Sequence, residues 1–134
     1  MLSLTDAENL IDLAIAEATK IGRVVSVAVV DPAGYLIALK RMEGSGFLTP
    51  QIAEAKGFSA AAWGTPTLVI AERARARPET FQAFTNIGRT KLIPGHGGYP
   101  IKRGDVLVAG FGVSGGSGEE DEAICQGALA KFDR

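Results

Sequence analysis

The hydrophobic positions near the start of the chain follow the period of a helix. Apolar residues recur at three- and four-residue spacing on one helical face, at Ala7, Leu10, Ile11, Ala14, Ala18 and Ile21. The capping box "TDAE", formed by Thr5 with Glu8, precedes this face, and Gly22 follows it. The pattern predicts a helix from about Thr5 to Ile21.

Two apolar runs come next, "VVSVAVV" (24–30) and "YLIALKR" (35–41), joined by "DPAG". Asp-Pro-x-Gly favours a tight turn, so the two runs predict a β-hairpin. The first run is almost wholly apolar, which is typical of a central strand that is covered on both faces.

The middle of the chain is predicted to be helical. "TPQIAEAKGFSAAAW" (49–63) begins with Thr-Pro and carries a face of small residues that suits close packing. A second Thr-Pro predicts another helix from about Pro66, and "PETFQAFTNIG" (78–88) predicts a short third helical piece.

Three further strands are predicted, near 90–93, at 99–103 and at 106–113. With the hairpin they make five. The last of them, "VLVAGFGV", contains two glycines, which indicates that another part of the chain approaches one of its faces closely.

A final helix is predicted after Gly118, capped by Ser117 and Glu120 in "SGEE". The order of elements predicts one α+β domain over residues 1–134, an antiparallel sheet with helices packed against it.

Composition and charge exclude several classes of function. The net charge is −1, without the basic excess of a nucleic-acid-binding surface. No apolar run approaches the length of about 20 residues that spans a bilayer, and the first residues lack the features of a signal peptide. We therefore expect a cytoplasmic protein with no nucleic-acid or membrane partner, in which the single cysteine, Cys125, is a reduced thiol.

The common nucleotide and metal motifs are absent from the sequence. "GFGVSGGSGEE" is rich in glycine like a phosphate loop, but the four acidic residues at 119–122 would repel a phosphate. Neither C-x-x-C nor H-E-x-x-H occurs, so the pattern does not predict a zinc site.

His96 is the only histidine, and it lies among glycines in "IPGHGGYPIKRGD" (93–105). It is either an exposed loop residue with no special role or an accessible imidazole. An accessible imidazole is suited to acid–base catalysis near neutral pH, or to serve as the single axial ligand of a haem iron. Tyr99 is a second candidate for contact with a ligand, or a buried hydroxyl bonded to the backbone.

Asp121 shares the apolar face of the last helix with Ile124 and Cys125. Its carboxylate either caps the helix start or points into a pocket below "GVSGG", with Cys125 one turn deeper. Arg41, at the end of a strand, and Lys56, in the alanine-rich helix, are candidates to hold a ligand carboxylate, although solvated surface positions would also explain them.

The ordered segments "VSVAVVDPAGYLIALKRMEG", "AEAKGFSAAAWG", "GGYPI" and "GFGVSGGSGEEDEAICQGAL" resemble the haem-degrading-domain family, the GlcG/HbpS-like proteins. The resemblance runs from about Leu4 to Phe132. It implies a profilin-like α/β/α arrangement around a five-stranded antiparallel sheet, and homo-oligomers from dimers to octamers. Some members bind haem, some are linked to haem breakdown or iron release, and one branch is fused to a cobalamin adenosyltransferase.

The family elements map onto two short stretches of this chain. The "GG-P-I" element corresponds to Gly97, Gly98, Pro100 and Ile101, and the "E-x-DE-x-C" element to Glu119, Asp121, Glu122 and Cys125. Both are expected to adjoin the pocket.

These observations lead to three hypotheses. The first is an oligomeric protein that binds a small molecule, with haem or another tetrapyrrole as the candidate cofactor and a role in haem degradation or iron handling. His96 would bind the iron, Arg41 or Lys56 would neutralise propionates, and Gly97, Gly98, Tyr99 and Cys125 would complete the site.

The second hypothesis is a metal-independent catabolic enzyme of the lyase, isomerase or hydrolase type. It would act on an organic acid or carbonyl compound with His96 and Asp121 as its acid–base pair. The third is an accessory protein without a ligand.

Overall fold

The structure is a computed structural model that describes residues 1–90 and 92–132. Its helices are α1 (Leu4–Lys20), α2 (Thr49–Trp63), α3 (Thr67–Ala76), α4 (Pro78–Phe84) and α5 (Gly118–Lys131). Its strands are β1 (Ser26–Val30), β2 (Leu36–Arg41), β3 (Gly98–Arg103) and β4 (Val106–Ser114). The strands form one antiparallel sheet in the order β2-β1-β4-β3. The predicted α+β class and the β1–β2 hairpin are confirmed.

The prediction of five strands is wrong for the described residues, whose sheet has four. The strand predicted near 90–93 is missing: residues 90, 92 and 93 are not in a strand, and residue 91 lies outside the described residues. The amide of Ile93 donates to Ser59 Oγ in α2 at 2.8 Å, and the carbonyl of Leu92 accepts from Thr85 Oγ1 at 3.2 Å. Side chains therefore satisfy backbone groups that a neighbouring strand would otherwise pair.

The helix starts follow side-chain caps. α1 begins at Leu4, and its cap is Ser3, whose hydroxyl accepts from the amide of Asp6 at 3.0 Å; the "TDAE" box is not the cap. The capping box of α5 is confirmed, because Ser117 Oγ accepts from the amide of Glu120 and the Glu120 carboxylate accepts from the amide of Ser117.

Helices cover both faces of the sheet. On one face α1 and α5 pack against each other and against the sheet, and the buried side chains of this layer include Leu10, Ile11, Val27, Val29, Phe111, Val113 and Ile124. On the other face α2 crosses β1, β4 and β3. No helix among residues 1–90 and 92–132 has both the length and the apolar character that a membrane crossing requires.

The contact between α2 and β4 is a backbone contact. A Cβ atom at Gly110 would lie 2.1 Å from the carbonyl oxygen of Gly57, and one at Gly112 would lie 2.0 Å from that of Ala53. Both distances are far shorter than a van der Waals contact, so only glycine fits at these two positions of β4. The close approach that the two glycines predicted is confirmed.

We expect Gly112→Ala to lower the free energy of unfolding by about 2 kcal/mol or more, because the added methyl group must push α2 away from the sheet. Urea denaturation followed by circular dichroism measures the change. Gly46→Ala is the matched control, since a Cβ there would meet only Thr49 Cγ2 at 3.6 Å. Equal stability of the two variants would contradict the close packing.

Candidate functional site

A buried ion pair lies where α2, β4 and α5 meet. Lys56 lies in α2 between Ala53 and Gly57, which contact β4, and its Nζ donates to the carbonyl of Val113 at 2.7 Å and to Asp121 Oδ2 at 3.1 Å. Lys56 is 8% exposed and Asp121 is 3% exposed. Buried charges are tolerated when they are paired and hydrogen-bonded. The pair therefore joins three elements at one end of the sheet.

Asp121 has a second partner in the loop that precedes α5. Its Oδ1 accepts from the amide of Gly116 at 2.9 Å. Burial raises the pKa of the Asp121 carboxyl, and the charge of Lys56 opposes that rise. The carboxylate thus binds the glycine loop and the lysine, and it points into the protein.

Gly97 fits against this pair because it has no side chain. Its φ is +96°, and a Cβ atom there would lie 2.8 Å from the Val113 carbonyl oxygen, 3.0 Å from Asp121 Cβ and 3.2 Å from Lys56 Nζ. Both the backbone conformation and the space around it require glycine. The pair and the loop that carries His96 are therefore packed directly against each other.

The backbone of Gly97 is fully bonded. Its amide donates to Glu122 Oε1 at 3.0 Å, and its carbonyl accepts from the amide of Val113 at 2.8 Å and from Cys125 Sγ at 3.3 Å. Burial raises the pKa of the Cys125 thiol well above its usual value. Cys125 is therefore a protonated hydrogen-bond donor that supports the loop and lacks the thiolate that reactivity requires.

Gly98 is held by α3. Its amide donates to Thr67 Oγ1 at 2.9 Å, and a Cβ atom there would lie 2.5 Å from Thr67 Cγ2. Gly97 and Gly98 are both buried, so they form the part of the loop that packs against the protein interior.

His96 stands on this rigid support. Its side chain is 34% exposed, and its Nδ1 is buried without a hydrogen-bond partner, 3.8 Å from Glu122 Oε1. The ring packs on the first turn of α5, where a Cβ atom at Gly118 would lie 2.7 Å from His96 Cδ2. Because Nδ1 is buried, the exposed part of the imidazole consists of its other atoms.

Glu122 connects His96 to Tyr99. The Tyr99 hydroxyl donates to Glu122 Oε2, and Gln126 Nε2 donates to the Tyr99 hydroxyl at 3.2 Å. Burial, with a further contribution from the Glu122 carboxylate, raises the pKa of Tyr99 to about 12. The Tyr99 hydroxyl therefore bonds to the side chains of Glu122 and Gln126 in α5, and not to the backbone as one of the sequence-based alternatives expected.

The structure brings together most of the candidate site residues. We call Lys56, His96, Gly97, Gly98, Tyr99, Asp121, Glu122 and Cys125 the glycine-loop cluster. The family element placed Glu122 near the expected pocket, but the sequence indicated no role for its side chain. Glu122 precedes Cys125 by three residues and Gln126 by four, which places it beside them on α5.

Arg41 lies apart from the glycine-loop cluster. Its guanidinium donates to the carbonyl of Ser45 at 3.1 and 2.7 Å, at the end of β2. β1 separates β2 from β4 in the sheet. Across residues 1–90 and 92–132, no group of three or more His, Cys, Asp or Glu side chains is arranged to hold a metal ion.

The chain is similar in sequence to a known protein family and to longer proteins that contain a related segment. The model of the family described as "Haem degrading protein HbpS-like" matches residues 2–130. The corrinoid adenosyltransferase PduO of Salmonella typhimurium is 29% identical over 132 residues, which are 98% of this chain and 39% of that protein. The chain thus spans about two fifths of the length of PduO.

Two solved structures resemble the chain over almost all of its length. A double mutant of HbpS from Streptomyces reticuli is 33% identical, with a TM-score of 0.88 over 99% of this chain and 88% of that one. The complex of PduOC with haem is 30% identical, with a TM-score of 0.84 over 96% of this chain and 93% of that one.

We expect Lys56→Met and Asp121→Asn each to lower the free energy of unfolding by about 3–5 kcal/mol, because each leaves a buried polar partner unpaired. The double variant should lose less than the sum of the two. Lys40→Met is the control: Lys40 pairs with Asp12 at the surface, and its loss should cost less than about 1 kcal/mol. Additive losses in a denaturation cycle would contradict the pairing.

The ionisation of Tyr99 gives a second test. Because its folded pKa is raised above 10, Tyr99 stabilises the fold fully below that pH, and the contribution is lost as the pH rises through about 12. In a near-ultraviolet absorbance titration, Tyr99→Phe should remove the part of the absorbance change that occurs near pH 12, and Tyr35→Phe should retain it. Glu122→Gln should lower the pKa of Tyr99. An unchanged titration in Glu122→Gln would show that the carboxylate does not contact the phenol.

Proposed function

We propose that this chain, which belongs to the HbpS-like haem degrading protein family, binds haem or a closely related tetrapyrrole at His96. The haem complex of the similar PduOC structure supports the class of ligand. The position of the His96 ring beside Glu122 is the observation that carries the choice of residue.

A single imidazole is enough to attach haem to a protein. The porphyrin supplies the in-plane ligands of a redox-active iron, so the protein needs to provide only one or two axial ligands. His96 is the only histidine and is partly exposed between Gly95 and Gly97, which have no side chains to obstruct a flat ligand. These properties fit an axial ligand.

Glu122 prepares His96 for this role. A ligating histidine usually donates its second ring N–H to a carboxylate or carbonyl, which fixes the ring and increases its basicity. Nδ1 of His96 lies 3.8 Å from Glu122 Oε1, so the proposal requires these two atoms to move into hydrogen-bond distance when haem binds. Nε2 is then the nitrogen that is available to the iron.

The remaining candidate residues have supporting roles in this proposal. Lys56 is buried and bound to Asp121, so it holds the loop, and contact with a propionate would require that pair to open. Arg41 would have to release the Ser45 carbonyl before it could bind a propionate. Gly97, Gly98 and Cys125 support the loop that carries His96. Tyr99 donates a hydrogen bond to Glu122 and so helps to hold that carboxylate in place.

Three wider elements belong to the same proposal. We infer that residues 1–134 act as one domain, that the chain forms homo-oligomers in the cytoplasm, and that haem breakdown or iron handling follows binding. Two adjacent exposed apolar side chains, Phe47 (79% exposed) and Leu48 (51% exposed), support association.

A metal-independent acid–base enzyme is the second candidate. The contact between His96 and Glu122 favours it, because a histidine oriented by a carboxylate is a common general base. Asp121, the partner expected from the sequence, is bound to Lys56 and Gly116. In this alternative Glu122 takes the place of Asp121 beside His96.

Titration of the purified protein with haemin tests the proposal. We expect a shifted Soret band in the wild type and its loss or strong weakening in His96→Ala. Glu122→Gln should weaken haemin binding by about tenfold or more, since it removes the carboxylate that orients the His96 ring.

Met42→Leu is the control for iron ligation by a thioether, because Met42 follows Arg41 at the end of β2 and its Sδ already accepts from the amide of Val25 at 3.3 Å. This variant should bind haemin like the wild type. A wild-type protein without a Soret shift would contradict haem binding, and a His96→Ala spectrum identical to that of the wild type would contradict the assignment of the ligand.

A further inference from the structure

We infer a second ligand site, for a planar aromatic carboxylate, in a groove formed by the end of α2 with α3 and α4. A cavity of about 560 Å³ lies there, lined by Trp63, Arg73, Arg77, Phe81 and Phe84. Small-molecule sites usually enclose about 300–1,000 Å³. We call it the aromatic groove; it shares no residue with the glycine-loop cluster and does not depend on haem binding.

The walls of the aromatic groove are aromatic rings held in fixed mutual geometry. Trp63 meets Phe81 edge-to-face at a centroid distance of 5.9 Å and Phe84 at 6.0 Å, with interplanar angles of 85° and 87°. Phe84 is nevertheless 42% exposed. Aromatic faces that are ordered but uncovered favour a ligand with a flat ring of its own.

The groove continues into an apolar extension. A second cavity of about 300 Å³ shares Trp63 and Phe84 with the first and is lined further by Phe58, Ala62, Ile87, Gly88 and Leu92. Ile87 is 76% exposed there. The combined space therefore suits a fused-ring body better than a single small ring.

Two arginines give the groove a cationic mouth. Arg73 lies in the last turn of α3 and Arg77 directly follows that helix, and both line the cavity. The Arg73 guanidinium lies 5.9 Å from the centroid of the Trp63 ring, within the range of a cation–π contact. Both arginines are exposed at the rim of the cavity.

Neither arginine is neutralised. Arg23 and Arg103 form ion pairs with Glu120 and Asp6, whereas no ion pair within residues 1–90 and 92–132 includes Arg73 or Arg77. Two unpaired guanidinium groups beside apolar rings match a ligand that carries a carboxylate at one end of a flat apolar body. The carboxylate would accept charge-assisted hydrogen bonds from the arginines while the rings stack on Trp63.

The experiment uses 2-naphthoate as the probe. Trp63 is the only tryptophan, so its indole N–H gives a single assignable NMR signal that reports on the groove directly. We expect this signal to shift in a saturable way, and calorimetry gives the affinity. In Arg73→Gln/Arg77→Gln the affinity should fall by about tenfold or more, because charge-assisted hydrogen bonds are lost.

Matched controls separate the site from general effects of charge. Arg75→Gln removes an exposed arginine between the other two on a different side of α3 and should leave the affinity unchanged. The neutral 2-naphthamide should bind wild type more weakly than 2-naphthoate does, with little difference between wild type and the double variant. His96→Ala should bind 2-naphthoate normally, so this result does not depend on the outcome of the haemin titration.

Three outcomes would overturn the inference. One is the absence of binding by the wild type. Another is equal affinity in wild type and in a double variant whose circular dichroism shows it to be folded. The third is a Trp63 signal that responds to protein concentration and not to 2-naphthoate, which would show that a second copy of the chain covers the groove.

Discussion

The contact of α2 with the backbone of β4 is the constraint on which the rest of the structure depends. Gly110 and Gly112 have no Cβ atoms, so the carbonyls of Gly57 and Ala53 lie directly against the strand. At this separation the side chain of Lys56 reaches the Val113 carbonyl near the end of β4 and the Asp121 carboxylate in α5. A larger residue in the strand would move the helix and withdraw the lysine, so the packing of small residues determines where the buried charge lies.

The buried charge in turn organises the loop that carries His96. Asp121 and Glu122 are neighbours in α5, yet they do different work because they point in different directions. Asp121 binds Lys56 and the amide of Gly116, whereas Glu122 binds the amide of Gly97 and the Tyr99 hydroxyl. These contacts satisfy the groups around the loop and leave the His96 imidazole with a buried nitrogen that lacks a partner. In the proposed haem complex this Nδ1 would donate to Glu122, which leaves Nε2 as the nitrogen that would face the iron.

Local patterns in the sequence predicted the elements well and the site less well. Helical spacing, the "DPAG" turn and the "SGEE" cap each act within a few residues, and the glycines of β4 indicated that another element approaches closely. The strand expected near 90–93 was wrong because a long-range contact, from the amide of Ile93 to Ser59, satisfies the backbone there. The pairing of Lys56 with Asp121 joins residues 65 positions apart, which no local spacing indicates. Glu122 is the neighbour of Asp121, which the sequence did indicate as a candidate. The two carboxylates have different partners because their side chains leave α5 in different directions, and the sequence alone does not give the orientation of that helix.

The central claim is that the glycine loop presents His96 as the axial ligand of a haem. Since the chain has one histidine, protein made with ¹⁵N-labelled histidine contains a single labelled imidazole. NMR of the haem-loaded protein in its diamagnetic ferrous carbonyl state then reports on both ring nitrogens. Coordination predicts a large change in the Nε2 signal on loading, with Nδ1 carrying the proton that faces Glu122. Imidazole signals that stay the same in the haem-free and haem-saturated protein would contradict the account.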